Sequence, residues 1–318
     1  MSETRTPQVR FRTVAGVRIR YADTGGSREA TVVLTCPWPE SVYAFAPMWA
    51  YLAEHARLFA VDLPGFGASE RRVDLLSPRA MGEFLAQLVA EVGLGTPHVV
   101  APDVGTSAAL FAAAAHPARF ASVIVGTGGA AVPLQLGEPL ASWVLDPDVE
   151  KYRRMDPRVI VGAAVDTIAG GVPADIRDDY LSCYDGDRFV ESMRYVRSYP
   201  EELPVLAEQL PQISTPVTII NGRNDRIVPL ANAKFLDDRL PTSRLVVIDA
   251  GHFVGRRHRL SMPQSSSSRL RVAADNGFSC QQRSTNADCP FQGEHNLDAR
   301  AVHRRTHRLR AGPLEAFS

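Results

Sequence analysis

Three times between residues 30 and 126, a short run dominated by Val, Leu and Ala is followed by a stretch long enough for a helix. ATVVLT (30–35) precedes helical periodicity at 44–54, RLFAVDL (57–63) precedes SPRAMGEFLAQLVAEVGL (77–94), and PHVVA (97–101) precedes VGTSAALFAAAAHP (104–117). A fourth run, ASVIVG, fills 121–126. Strands that are apolar throughout are buried on both faces, and parallel neighbours need a crossover between them, so this order demands a mostly parallel sheet covered by helices on both sides. The 77–94 stretch carries its own boundaries: Ser77 is a cap, Pro78 occupies the first helical position, and Gly93 closes the last turn. VRFR and VRIRYAD, joined by Ala15-Gly16, read as a hairpin ahead of the sheet.

The alternation stops between about Val132 and Leu210, where the chain is charged, aromatic and helical in pattern, and resumes with TPVTIING, a helix expected over Pro229–Leu240, and SRLVVIDAGH. The expected organisation is therefore a first core half over 1–131, a helical lid over 132–210, a second core half over 211–254, and a tail over 255–318. With 45% hydrophobic residues in 318, the chain can bury one large core. Net charge is zero, but residues 255–318 hold eleven Arg against five Asp or Glu, which leaves about −6 on the rest. A body of that charge gives no reason to expect nucleic acid as a partner. No run approaches the 18 apolar residues of a membrane span, the N-terminus has no apolar signal core, and four scattered Cys make no disulfide framework. A cytoplasmic protein, monomeric or homodimeric, without membrane partner, metal or cofactor, is expected.

Three short segments fall at the C-terminal ends of predicted strands, where open α/β sheets build their sites. They carry Asp103 after 97–101, Asp225 in GRNDRIVP after 216–220, and His252 in DAGHF after 244–249. Singly, each has a plain reading: a helix cap, a turn former and a surface histidine. Together, in the order acid, acid, His, they resemble the α/β-hydrolases. The segment A-P-D-V-G (101–105) stands where that fold has its Gly-x-nucleophile-x-Gly elbow, with Asp103 replacing the usual Ser. DLPGFGAS (62–69), CPWPES (36–41) and GRNDRIVP (222–229) are similar to the companion motifs of its epoxide hydrolase and haloalkane dehalogenase branch. The resemblance spans about residues 9–254 and implies an α/β-hydrolase fold with an inserted helical lid.

An aspartate at the elbow implies a particular chemistry. A carboxylate needs no base, displaces at a saturated carbon and leaves an ester that water cleaves. In the resembling enzymes the His deprotonates that water, the second carboxylate orients the His, and backbone amides hold the oxyanion. Here those donors would be the amides of Trp38 and Val104. Cys36-Pro37-Trp38-Pro39 departs from the family's His-Gly-aromatic-Pro, yet Trp38 keeps its N–H where Pro37 and Pro39 have none. Trp38 and Phe66 are candidate substrate contacts, with a core role open for both.

The resemblance favours an epoxide. Dehalogenases of this branch grip halide with a Trp after the nucleophile and an Asn in the oxyanion loop, positions held here by Val104 and Trp38. Epoxide hydrolases use two lid tyrosines as proton donors, and Tyr152 and Tyr195 match their places, with Tyr180, Tyr184 and Tyr199 as rivals. The expected substrate is an apolar or aromatic epoxide, opened to a vicinal diol. A haloalkane dehalogenase remains the alternative, followed by a ligand-binding protein without turnover or one inactivated by its altered C-terminus. That tail lacks any amphipathic period and reads as disordered. The resembling proteins continue His-Phe-Val with a Trp-Glu-Asp-like helix start where this chain has Gly255-Arg256-Arg257, so 255–318 reads as a frameshifted segment. Its Cys280, Cys289, His303 and His307 have a spacing unlike that of a zinc site.

Overall fold

The computed structural model describes residues 6–254. The tail over 255–318, with its disorder, frameshift and zinc readings, lies outside the described residues. An eight-stranded sheet runs through the described chain: β1 (Val9–Val14), β2 (Val17–Asp23), β3 (Thr31–Thr35), β4 (Arg57–Val61), β5 (His98–Pro102), β6 (Ser122–Gly126), β7 (Val217–Gly222) and β8 (Ser243–Ile248). Its spatial order is β1-β2-β4-β3-β5-β6-β7-β8. β1 and β2 form the expected hairpin, β2 lies antiparallel to β4, and every pair from β4 to β8 is parallel. This is the mostly parallel sheet that the apolar runs demanded.

The crossovers are α1 (Ala46–His55), α2 (Pro78–Val92), α3 (Val104–Ala115) and α10 (Ala231–Asp237). α2 ends where its punctuation says. Ser77 Oγ accepts from the Ala80 amide, and Gly93 takes the left-handed conformation at φ 71° that a side chain would resist. α10 is shorter than the expected Pro229–Leu240. The turn before it is held by Asn232, whose amide group donates to the Pro229 and Gln135 carbonyls while its Oδ1 accepts from Ala130 and Ala131. An Asn that bonds neighbouring backbone competes with helix propagation.

Between β6 and β7 come six helices and no strand: α4 (Leu140–Leu145), α5 (Glu150–Arg153), α6 (Pro157–Val165), α7 (Ala174–Cys183), α8 (Arg188–Arg197) and α9 (Tyr199–Gln209). A buried ion network ties this helical segment to the sheet. Arg20 of β2, only 5% exposed, donates to fully buried Asp62 and to Asp179 of α7, both at 2.5 Å. Asp62 also accepts from the amides of Val42 and Ala68, and Asp179 from the Ser41 hydroxyl. Burial pushes the Asp62 carboxyl above its usual range against the pull of Arg20. Removing one partner from such a pair strands a buried charge at a cost of about 3–5 kcal/mol. The network thus fixes α7 beside the Cys36–Ser41 loop. Cys36 and Cys183 near it are buried and free.

Candidate active site

Asp103 is the one residue between β5 and α3, and its backbone is forced into φ 54°, ψ −123°. A non-glycine residue there is strained by about 1–3 kcal/mol, and a strand that turns into a helix within one residue leaves little alternative. The turn is pinned on both sides: the Asp103 amide donates to the Gly126 carbonyl at 2.9 Å, and the Thr106 hydroxyl donates to the carbonyls of Ala101 and Gly126. Gly105 is needed because a Cβ there would stand 2.3 Å from Thr35 Oγ1. Asp103 does not behave as an ordinary helix cap. Its side chain makes no cap bond to α3, and its backbone is outside the extended region that caps adopt.

The carboxylate instead turns to the Cys36–Ser41 loop, where the Trp38 amide donates to Asp103 Oδ2 at 2.6 Å. The other oxygen, Oδ1, lies 4.0 Å from His252 Nε2. On the far side of the imidazole, His252 Nδ1 is 2.9 Å from Asp225 Oδ2, while Asp225 Oδ1 accepts from the amides of Ile227 and Val228, also at 2.9 Å. Three loops, from the ends of β5, β7 and β8, therefore bring Asp103, His252 and Asp225 into one line. All three carboxylate and imidazole side chains are largely sealed from solvent, at 0–12% exposure.

Electrostatics follow from that seclusion. Burial raises the Asp103 carboxyl above its usual range, opposed by the His252 charge and by the amides of Trp38 and Val104. Burial alone would lower His252, but the hydrogen bond and charge of Asp225, with Asp103 and Glu40 behind them, outweigh it and lift the imidazole above its ordinary value. The site holds a carboxylate with one oxygen on the Trp38 amide and the other free, facing an imidazole whose second nitrogen is anchored. That arrangement can attack carbon and then activate water on the opposite side of the resulting ester.

The acid and histidine loops are laced together by backbone bonds, from Arg223 to the Ile248 carbonyl and from Asn224 to the Ala250 carbonyl. Gly222 permits this approach, since a Cβ on it would meet the carbonyl oxygens of Gly251 at 2.2 Å and Ala250 at 2.5 Å. Gly222→Ala should push the His252 loop away and lower kcat by about 10²-fold, the usual cost of misplacing a catalytic group by an ångström. Steady-state kinetics beside a thermal melt checks this: the rate should fall far more than the unfolding temperature.

The aromatic side chains are less uniformly disposed. Tyr195 of α8 donates its hydroxyl to the Val104 carbonyl at 2.6 Å, with Ser107 Oγ at 3.3 Å, so its one proton is engaged beside the elbow. Phe66 is fully buried with Tyr195 edge-on to it at 5.4 Å. Tyr152 is buried in α5, and Tyr184 donates to the Glu40 carbonyl. Trp38 stacks on Phe189 of α8 at 5.3 Å and meets Trp143 of α4 edge-on at 5.2 Å. Sequence reasoning passed over Trp143, Phe189 and Glu40. Glu40 had a signal, as the neighbour of Pro39 in the CPWPES segment; Trp143 of α4 and Phe189 of α8 had none, because only tertiary packing brings them to Trp38. Among the described residues no His, Cys, Asp and Glu cluster could hold a metal ion.

A model described as alpha/beta hydrolase fold matches residues 31–255. The chain belongs to the alpha/beta hydrolase family. Within it, a 2-hydroxy-6-oxononadienedioate/2-hydroxy-6-oxononatrienedioate hydrolase of Burkholderia vietnamiensis is 27% identical over 260 residues, covering 76% of this chain and 87% of its own. Two solved alpha/beta hydrolase-like structures share the fold. Cfl2 from Burkholderia cenocepacia matches with TM-score 0.69 at 22% identity over 85% of this chain and 96% of its own, and the epoxide hydrolase CorEH with TM-score 0.67 at 17% identity over the same shares. No helix of this alpha/beta hydrolase is long and apolar enough, among the described residues, to cross a membrane.

Proposed function

We propose that this hydrolase opens epoxides to vicinal diols through a covalent ester on Asp103. The observation that carries the reading is the state of the Asp103 carboxylate, with one oxygen on the Trp38 amide at 2.6 Å and the other 4.0 Å from an imidazole backed by Asp225. Asp103 attacks a ring carbon, and the epoxide C–O bond breaks with its electron pair moving to oxygen, which takes a proton from Tyr152 in the lid. Water then attacks the ester carbonyl as His252 removes its proton, and the amides of Trp38 and Val104 hold the oxyanion on what was Asp103 Oδ2. The two protons of the water complete the second hydroxyl and restore Tyr152. Residues 132–210 act as the lid that excludes bulk solvent from this sequence of steps.

A second reading comes from the Burkholderia vietnamiensis relative, whose name describes hydrolysis of an oxo-dienedioate. The elbow here argues against carbonyl substrates. Residue 103 carries no hydroxyl, and the Trp38 amide that would receive a substrate oxyanion is already bonded to the nucleophile's own oxygen. Racemic aryl and alkyl epoxides, haloalkanes and an oxo-dienoate, offered to the same protein with diol, halide and enol product measured, separate the readings. Diol from an epoxide is expected. Turnover of the oxo-dienoate alone would overturn the proposal.

The two chemical steps should also differ in pH dependence. Alkylation needs Asp103 ionised, so it rises with pH through a carboxyl value that burial places above the usual range. Ester hydrolysis needs His252 neutral, so it rises through an imidazole value lifted above its ordinary one. Quench-flow with mass spectrometry, which follows ester growth and ester loss separately, should find each step slowing as pH falls, ester loss through the raised imidazole value and ester growth through the raised carboxyl value.

A further inference from the structure

On the reading of Asp103 as nucleophile, the oxygen that leaves carbon needs hydrogen-bond donors, and the structure restricts where they come from. The Tyr195 hydroxyl is directed at the Val104 carbonyl. Trp38 is different: its residue is 5% exposed, its backbone N–H is spent on Asp103, and its indole Nε1 is buried with no hydrogen-bond partner. Buried N–H groups are almost always paired, and an orphan calls for an explanation. The ring itself is well held, stacked on Phe189 at 5.3 Å and edge-on to Trp143 at 5.2 Å. Packing therefore fixes the indole between the Cys36–Ser41 loop and the helices α4 and α8, while leaving its one polar atom unsatisfied.

We propose that the indole N–H of Trp38 donates a hydrogen bond to the substrate oxygen as the epoxide C–O bond breaks. The residue then serves the reaction at two points, holding one oxygen of Asp103 through its backbone and the departing oxygen through its side chain. No proton leaves the indole. The electron pair of the broken C–O bond stays on the substrate oxygen, the N–H stabilises the developing negative charge, and the proton comes from Tyr152. The aromatic wall of Trp143 and Phe189 around this donor suits substrates with a flat apolar substituent next to the epoxide, which lie against rings better than branched alkyl chains do.

The test replaces Trp38 by 3-benzothienylalanine, which substitutes sulfur for the N–H and keeps the two-ring shape, in the full chain that also carries His252→Gln. Racemic styrene oxide is the probe, and the rate of adduct growth on Asp103 is followed by mass spectrometry. Loss of a donor aimed at developing charge should slow adduct formation by about 10²-fold. In the chain with His252 intact, the rate of ester hydrolysis should stay within about twofold, since the backbone amide is untouched. Trp38→Phe, which lacks the N–H but retains a stacking ring, should slow alkylation in the same direction and guards against misfolding of the analogue. Alkylation at the unsubstituted rate in both variants would overturn the inference while leaving the nucleophile in place. Equal slowing of both steps would overturn it as well, because it would make Trp38 a packing residue. Absence of any adduct in His252→Gln alone would instead remove the reading of Asp103 on which the inference rests.

Discussion

His252→Gln, mixed with an aryl epoxide, should gain the whole mass of that epoxide on Asp103 and then stop. Alkylation requires only an ionised carboxylate beside an electrophilic carbon; with the His252 charge gone the Trp38 amide, 2.6 Å from Asp103 Oδ2, still favours that state, so the experiment is read at a pH high enough to keep Asp103 ionised. The second step does require it. Nothing else in the site pairs a basic nitrogen with an anchoring carboxylate 2.9 Å behind it. Turnover should fall by about 10⁴-fold or more, as it does when a member of a cooperating catalytic set is removed, while the first equivalent of epoxide is consumed at a rate near the wild-type burst. The mass also identifies the substrate class: an alkyl halide would add its mass less hydrogen halide. Intact-protein mass spectrometry followed by peptide mapping reads both, and turnover at the wild-type rate without adduct would overturn the role given to His252.

Asp103→Asn should abolish both phases, with a loss of about 10⁴-fold or more in turnover and no adduct. The amide is close in shape, so the elbow and its bond to Gly126 persist, but a neutral amide does not attack a saturated carbon. The fold should not suffer. Burial disfavours the Asp103 charge in the native state, and the residue adopts its strained backbone for the sake of the site rather than the sheet. A melting temperature equal to or above that of the wild type, together with a silent assay, is the expected pair of results. Slow recovery of activity with a mass gain of one unit would report deamidation back to Asp. An Asp103→Asn protein that is fully active from the start would make residue 103 structural only.

The sheet was legible because buried parallel strands are written as uninterrupted apolar runs: TVVLT, HVVAP and SVIVG are each flanked by turn residues, and period alone separates them from α2, whose Ser77 and Gly93 mark its ends. The three loop positions followed from the same pattern, since Asp103, Asp225 and His252 each sit just past a strand. What the pattern left out depends on distant contacts. Arg20 and Asp179 are 159 residues apart, and neither shows in sequence that it is buried or paired. The resemblance that singled out Tyr195 found a residue beside the elbow, but gave no hint that its hydroxyl would be taken by the carbonyl of Val104. Likewise Trp38 was visible as a backbone donor, whereas the orphaned state of its indole arises only when Phe189 and Trp143 close around it. α10 spans Ala231–Asp237 rather than Pro229–Leu240, and at its start the Asn232 side chain bonds to the Pro229 carbonyl, a local contact that hydrophobic pattern does not record.

The central claim is that the new oxygen of the product passes through the carboxylate of Asp103. A single turnover in ¹⁸O-labelled water, with enzyme in excess over epoxide, tests it directly. Hydroxide attacks the ester carbonyl, so the oxygen released with the diol is the unlabelled one that Asp103 began with, and the label remains on the protein. The account predicts unlabelled diol and a peptide containing Asp103 heavier by two mass units. Labelled diol with an unlabelled Asp103 peptide would mean that water attacks the epoxide itself, and would contradict it.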